Sequence, residues 1–228
     1  PVVYLYRAMG SIIEEPGTER SRSITDLFRH EQFYHGIIMK TDAEALLKKE
    51  GDFVLRKTEH YSGVIVLCLS VRTDGEKDTN KSYFVDPSHK ETSISKLITY
   101  YINTNTPLTL STNAKLKKSM DRPPWVIDHD SIYIIRKIAP NIGTFSTVYT
   151  AKYGNKKGNE IVVAKALKSE ANRDTRCKFM KEARMMRYCD HPNVLKILGV
   201  ALHYFPIIIV MEWCEGGTMS LYLKKNGK

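Results

Sequence analysis

Gly51-Asp52-Phe53-Val54-Leu55-Arg56-Lys57-Thr58 decides how the first half of this chain is read. Phe53, Val54 and Leu55 form a short apolar run of strand type that ends on an arginine. A guanidinium in that position must meet an anion or face water, because an uncompensated buried charge is strongly disfavoured. Ile161-Val162-Val163-Ala164-Lys165 repeats the pattern with a lysine. Two strand-end cations in separate contexts point to two phosphate sites. A plain ion pair of Arg56 with Asp52 or Glu59 is the structural alternative for the first of them.

The flanks of Arg56 read as a complete small domain. Thr41-Asp42-Ala43-Glu44 has the spacing of a capping box, and Ala43, Leu46 and Leu47 supply one apolar helix face. Gly51 can take the left-handed conformation just past that helix. Val64 to Val71 is apolar on both alternating faces, as a central covered strand requires. Asp74-Gly75 fits a hairpin turn, with Lys81 to Val85 returning. Ile94, Leu97, Ile98 and Tyr101 recur at helical spacing. The order helix, strands, helix predicts an antiparallel sheet with one helix on each face. Upstream, Val2 to Tyr6 is strand-like and Gly17 to Ser23 is polar, so residues 1–32 read as a linker or upstream segment.

Bulk properties narrow the class. At 228 residues the chain has room for two domains, and 42% hydrophobic with 26% charged residues is globular. Its longest apolar run, Ile207 to Met211, falls far short of the roughly 20 residues that span a bilayer. The chain starts at Pro1 without a signal-peptide pattern, which reads as a piece of a longer, cytoplasmic protein. Four cysteines without C-x-x-C spacing read as thiols of a reducing compartment. The net charge of +10 suits nucleic acid, acidic membrane or phosphoprotein, and alone selects none of them. Basic surfaces interleaved with aromatics are absent, as is a long basic amphipathic helix, which argues against the first two.

Phe33-Tyr34-His35-Gly36, followed by the glycine-aspartate-apolar-arginine stretch, resembles a Src-homology-2 domain over residues 33–121. The resemblance implies that Arg56 forks onto the phosphate of phosphotyrosine-containing proteins, a dianion that a planar guanidinium matches with two parallel bonds. An arginine set beneath the surface selects phosphotyrosine over the shorter phosphoserine by reach. Three further positions carry over as helpers. Lys40 stands where the family usually has a second arginine, Thr58 holds the hydroxyl position, and Ser82 replaces a usual histidine.

After Asp121-Arg122-Pro123-Pro124, residues 122–130 read as a linker, and Trp125 to His129 restarts an apolar pattern. Strands follow at Ile132 to Ile138, Val148-Tyr149 and Ile161 to Leu167, the last two joined through the polar loop Gly154 to Asn159. Residues 173–188 read as a helix with Phe179, Ala183 and Met186 on one face. Asp190-His191-Pro192-Asn193 breaks it, Val194 to Leu202 and Ile207 to Met211 are strands, and Thr218 to Leu223 is a short helix. The expected fold class is α+β, with a five-stranded sheet and one long helix over residues 131–228.

Val163-Ala164-Lys165, Glu182 within Phe179 to Arg184, His191-Pro192-Asn193-Val194 and Met211-Glu212 are similar to the amino-terminal lobe of a protein kinase. With the preceding domain, the arrangement resembles a cytoplasmic tyrosine kinase of the Fes/Fer type. That resemblance implies ATP and Mg²⁺ as cofactors and protein tyrosines as substrates. Lys165 would neutralise ATP phosphates, and Glu182 would hold the lysine. Val148 and Val163 would flank the adenine, Glu212 and Cys214 would offer backbone groups to its edge, and Met211 would control access behind it. Asn141, Ile142, Gly143, Thr144, Phe145 and Ser146 would form the loop over the phosphates. The family pattern there is G-x-G-x-x-G, and only Gly143 of its three glycines is kept. H-R-D-x-x-x-x-N and D-F-G occur nowhere in the 228 residues, so this chain alone is expected to transfer no phosphate. A phosphotyrosine-binding adaptor with a degenerate kinase lobe is the alternative, and an ordinary surface ion pair is the bland reading of Lys165 with Glu182.

Overall fold

The computed structural model describes residues 2–6, 29–59, 65–73, 91, 94–108, 113–138, 145–154, 160–169, 171–217 and 219–227. They fall into two compact units, one of Pro1–Pro123 with Leu202–Tyr204 and one of Pro124–Ala201 with Phe205–Lys228.

The first unit contains β1 (Val2–Tyr6), α1 (Lys40–Leu46), β2 (Asp52–Glu59), β3 (Ile65–Arg72), α2 (Ile94–Thr104) and β4 (Lys118–Ser119). Its sheet runs β1-β3-β2-β4, antiparallel except for the β2–β4 pair. Val2–Tyr6, expected to lie upstream of the domain, is thus an edge strand of its sheet. On its other side, β2 takes up residues 33–36: Leu55 N–H donates to Phe33 O (2.8 Å) and Lys57 N–H to Gly36 O (2.7 Å). Being bonded along both edges carries β2 past Arg56 to Glu59. Arg56 therefore stands in the strand interior and not at its end, a correction to the reading from its apolar run.

Alternation then sorts β2 and β3 into two faces. Phe53, Leu55, Leu69 and Val71 join Tyr34 and the α2 residues Ile98 and Tyr101 in one core. Val54, Arg56, Cys68 and Ser70 are equally buried and point the other way. The capping box does not form. Met39 is extended and its carbonyl accepts from Asp42 and Ala43 N–H (3.1 and 3.0 Å), so α1 starts at Lys40 and Thr41 lies inside its first turn. Gly51 does take positive φ (+84°), but in the turn that opens β2. A Cβ there would sit 2.4 Å from the Lys117 Cγ. The hairpin expected at Asp74-Gly75 and Lys81 to Val85 lies outside the described residues.

The second unit contains β5 (Val126–Ile127), β6 (Ile132–Lys137), β7 (Ser146–Tyr153), β8 (Glu160–Leu167), α3 (Arg173–Arg187), β9 (Ile197–Ala201), β10 (Ile208–Glu212) and α4 (Met219–Asn226). The five expected strands and the long helix are present, in the order β9-β10-β8-β7-β6. A sixth strand, β5, comes from the segment read as linker and pairs parallel to β9. Gly199 permits that approach, since a Cβ on it would lie 2.5 Å from Ile127 Cγ2. Asn172 caps α3, its side chain accepting from Thr175 N–H at 2.9 Å, and α3 buries Phe179, Met180 and Ala183. β9 starts at Ile197 and not at Val194. Lys196 is instead held by Glu212, whose N–H donates to Lys196 O (3.0 Å) and whose carboxylate accepts from Lys196 N–H (2.9 Å).

One buried titratable group gives the first unit a pH dependence. His35 is fully buried, with Nε2–H donating to Met120 O at 2.8 Å and Nδ1 buried without a partner. Burial lowers its pKa, opposed by the Met120 carbonyl and reinforced by Arg122. The folded state thus prefers the neutral ring, and the unfolded chain takes up the proton first as pH falls. The stabilisation is complete above the unfolded histidine value of about 6.5 and is lost below it. We expect urea stability of the first unit to drop between about pH 7.5 and about pH 5.5, and to drop less in His35→Gln. An equal drop in both proteins would assign the effect to other groups.

Candidate functional site

Two sites emerge, one in each unit. In the first, Arg56 is 1% exposed and its Nε–H donates to Ser70 Oγ at 3.1 Å. The register Arg56↔Cys68 puts the Cys68 thiol beside it, 3.8 Å from Ser70 Oγ. Burial raises the Cys68 pKa, while Arg56, the Ser70 hydroxyl and Lys40 pull it down. Lys40, exposed at the start of α1, therefore acts on the same thiol as Arg56. Thr58 is half-buried two residues along β2, on the Arg56 side of the strand. Ser82 lies outside the described residues.

Asp52 is committed to the backbone and not to Arg56. Its Oδ2 accepts from Lys48 N–H (2.9 Å) and Lys49 N–H (2.7 Å), tying the end of α1 to the start of β2. Its carboxylate serves the backbone turn. Sequence reasoning missed Ser70 and Cys68. Both occupy even positions of β3, so the β2–β3 register was the one signal needed to place them beside Arg56.

In the second unit, β8 buries Val162, Ala164 and Ala166 on one face and leaves Val163 and Lys165 half-buried on the other. Val148 of β7 and Ile209 of β10 are the cross-strand partners of Lys165, and Met211 is that of Val163. These side chains share one sheet face, with a cation among apolar groups. Lys165 Nζ meets Glu182 Oε1 on α3 at 2.6 Å and lies 5.6 Å from the Phe179 ring centroid. The two side chains are 22% and 46% exposed, so the pair adds at most about 1 kcal/mol to stability. Its effect is to fix where the ammonium sits.

The remaining expected residues divide in two. Glu212 N–H is engaged by Lys196 O, so any bond from Glu212 to a planar ligand falls to its carbonyl. Cys214 is exposed and its carbonyl accepts from Gly217 N–H at 3.1 Å. Phe145 is exposed, with its carbonyl accepting from Lys168 N–H (3.0 Å), and Ser146 begins β7 as a buried residue. Asn141, Ile142, Gly143 and Thr144 lie outside the described residues.

Comparison with known proteins gives both units relatives. Residues 33–101 match the SH2 domain family, and residues 135–228 match the family described as protein tyrosine and serine/threonine kinase. The chain is 39% identical over 227 residues to Fer-related kinase 1 of Caenorhabditis elegans, covering 96% of this chain and 57% of that protein. It is 30% identical over 200 residues to tyrosine-protein kinase Fer of Rattus norvegicus, covering 85% of this chain and 24% of the relative. Against tyrosine-protein kinase Fer of Homo sapiens the identity is 28% over 202 residues, covering 86% and 24%. The chain thus spans about half the length of the first relative and about a quarter of the others.

The role given to Asp52 is open to a direct check. Asp52→Ala leaves two backbone N–H groups without their acceptor, which costs about 1–3 kcal/mol. The expected result is a lower urea midpoint for the first unit, with Asp52→Asn retaining part of the loss. Unchanged stability in Asp52→Ala would show that the turn does not depend on the carboxylate.

Proposed function

Given a chain that is an SH2 domain followed by the amino-terminal lobe of a Fes/Fer-type tyrosine kinase domain, we propose that it serves protein-tyrosine phosphorylation guided by phosphotyrosine. The observation that carries the reading is the 2.6 Å bond between Lys165 Nζ and Glu182 Oε1, on the sheet face that also carries Val148, Val163 and Met211. A carboxylate on a helix holds the ammonium where it can neutralise phosphate oxygens without swinging into solvent. Val148, Val163 and Met211 offer apolar surface to a flat heterocycle, and the Glu212 carbonyl with the Cys214 N–H offers polar groups to its edge. Those groups fit ATP, which when bound supplies the phosphoryl group for a protein tyrosine.

Magnesium is a different matter. Among the described residues no group of three His, Cys, Asp or Glu side chains could hold a metal ion. H-R-D-x-x-x-x-N and D-F-G are absent from the 228 residues. Nucleotide positioning and phosphotyrosine docking are the roles proposed for this chain.

Arg56 is assigned the phosphotyrosine. Its buried guanidinium is braced at Nε by Ser70, and the planar group carries the fork of donors that matches a phosphate. Lys40 adds charge from the start of α1, and Thr58 adds a hydroxyl. Ser82 is kept as a helper on the strength of the resemblance alone. A depth that admits the long phenolic stem favours phosphotyrosine over phosphoserine. No helix among the described residues is long and apolar enough to cross a membrane; a cytoplasmic place of action is proposed on the resemblance alone. Asn141 and Ser146 in place of two loop glycines favour a second reading, an adaptor whose kinase lobe has lost its grip on nucleotide.

Two measurements test the reading, and the second separates kinase from adaptor. Arg56→Ala should weaken binding of a phosphotyrosine peptide by well over tenfold, since breaking a buried charge pair costs roughly 2–5 kcal/mol. Arg56→Lys should also weaken it, because a point charge replaces a fork. Calorimetry showing unchanged affinity in either variant would remove Arg56 from the site. Continued through the carboxy-terminal lobe of a Fer relative, the chain should phosphorylate a tyrosine peptide. Lys165→Met should abolish that activity and leave peptide binding intact. No transfer even with Lys165 present would favour the adaptor.

A further inference from the structure

We propose that Tyr188, at the end of α3, is a phosphorylation site whose phosphate draws Arg187 away from Trp125. Tyr188 is 75% exposed, the most of any large apolar side chain among the described residues. It is the C-cap of α3, with its N–H bonded to Met185 O (3.2 Å), and the residues after it, Cys189 to Asn193, are non-helical and exposed. A kinase takes its acceptor tyrosine in an accessible, locally extended segment. Here the carboxy-terminal side is already open, and the amino-terminal side is a last helical turn, the part of a helix that frays most readily. The other strongly exposed tyrosines differ: Tyr133 lies within β6 and Tyr222 within α4.

What makes the position consequential is its neighbour. The Arg187 guanidinium carbon lies 4.3 Å from the Trp125 ring centroid and 5.1 Å from that of Tyr188, and Arg187 Nη2–H donates to the Tyr188 hydroxyl at 3.2 Å. Trp125 immediately precedes β5, and its carbonyl accepts from Val200 N–H at 2.8 Å. One guanidinium therefore links the end of α3 to the residue just before the sheet's edge strand. Glu182 lies on the same helix, six residues before Tyr188.

The reaction is an ordinary phosphoryl transfer. The Tyr188 oxygen attacks the γ-phosphorus of ATP, the β,γ-bridging P–O bond breaks and ADP leaves. The phenol proton passes through the modifying kinase's base to water. The product carries about −1.5 to −2 charge on three acceptor oxygens, held where Arg187 already touches the phenol. A bidentate, charge-assisted pair on phosphate outcompetes a half-buried guanidinium–ring contact. A negative group at a helix C-terminus is also opposed by the helix dipole, which loosens the last turn. The inference is independent of the roles given to Arg56 and Lys165, because the phosphate is supplied by another kinase molecule.

The test treats this chain with the catalytic domain of an active tyrosine kinase and ATP–Mg²⁺, then maps phosphate by mass spectrometry. The sequence has two tryptophans, so Trp213→Phe leaves Trp125 as the sole fluorescent reporter. Phosphate is expected on Tyr188, with acrylamide quenching of Trp125 rising at least twofold. Tyr188→Phe should abolish the change, and unmodified Arg187→Gln should reproduce it. Hydrogen exchange on the chain with both tryptophans should show the last turn of α3 opening at least tenfold faster once phosphorylated, which guards against an effect of the Trp213 substitution. Absence of phosphate on Tyr188, or phosphate there with quenching and exchange unchanged, overturns the proposal.

Discussion

A strand can present a side chain to one face only, and this constraint sets both cations of the chain. In β8, Val162, Ala164 and Ala166 fill one buried face, so Lys165 must stand on the other, where α3 brings Glu182. In β2, Phe53 and Leu55 are committed to the α2 core, so Arg56 must point to the opposite side, where Cys68 and Ser70 await it. Neither charge is placed by a loop. Shifting either strand by one residue would exchange cation and core, at a cost in buried apolar area that no ion pair could offset.

Energetics and function separate cleanly at Lys165. Its half-exposed pair with Glu182 contributes little to stability, whereas the apolar groups around it fix the geometry. Arg56 is the reverse case. It is enclosed, braced by Ser70, and set beside a thiol whose pKa burial raises. The first cation is a mobile group held in place by a helix. The second is part of a core.

Much of this was legible in the residues. The helical spacing of Ile94, Leu97, Ile98 and Tyr101 found α2, and Phe179 and Ala183 found the face of α3. The seventeen-residue step from Lys165 to Glu182 anticipated their meeting. What escaped depended on distant pairing. Arg56 looked like a strand terminus because Lys57, Thr58 and Glu59 are polar, yet bonds to residues 33–36 and to β3 carry the strand through them. Val126–Ile127 is too short to show a period, and its partner β9 lies some seventy residues away. The capping box at Thr41 was a sound local pattern overruled by the extended Met39 two residues earlier. Ser70 and Cys68 needed a register, which no single strand contains.

Nitrogen-detected NMR of the arginine Nε and lysine Nζ groups tests the two-cation account most directly, in one sample titrated first with phosphotyrosine and then with ATP. The Arg56 Nε resonance should move with phosphotyrosine, stay still with the same concentration of phosphoserine, and ignore ATP. The Lys165 Nζ resonance should respond to ATP alone. Arg56 silent toward phosphotyrosine, or both cations responding to the same ligand, would contradict the assignment of two separate phosphate sites.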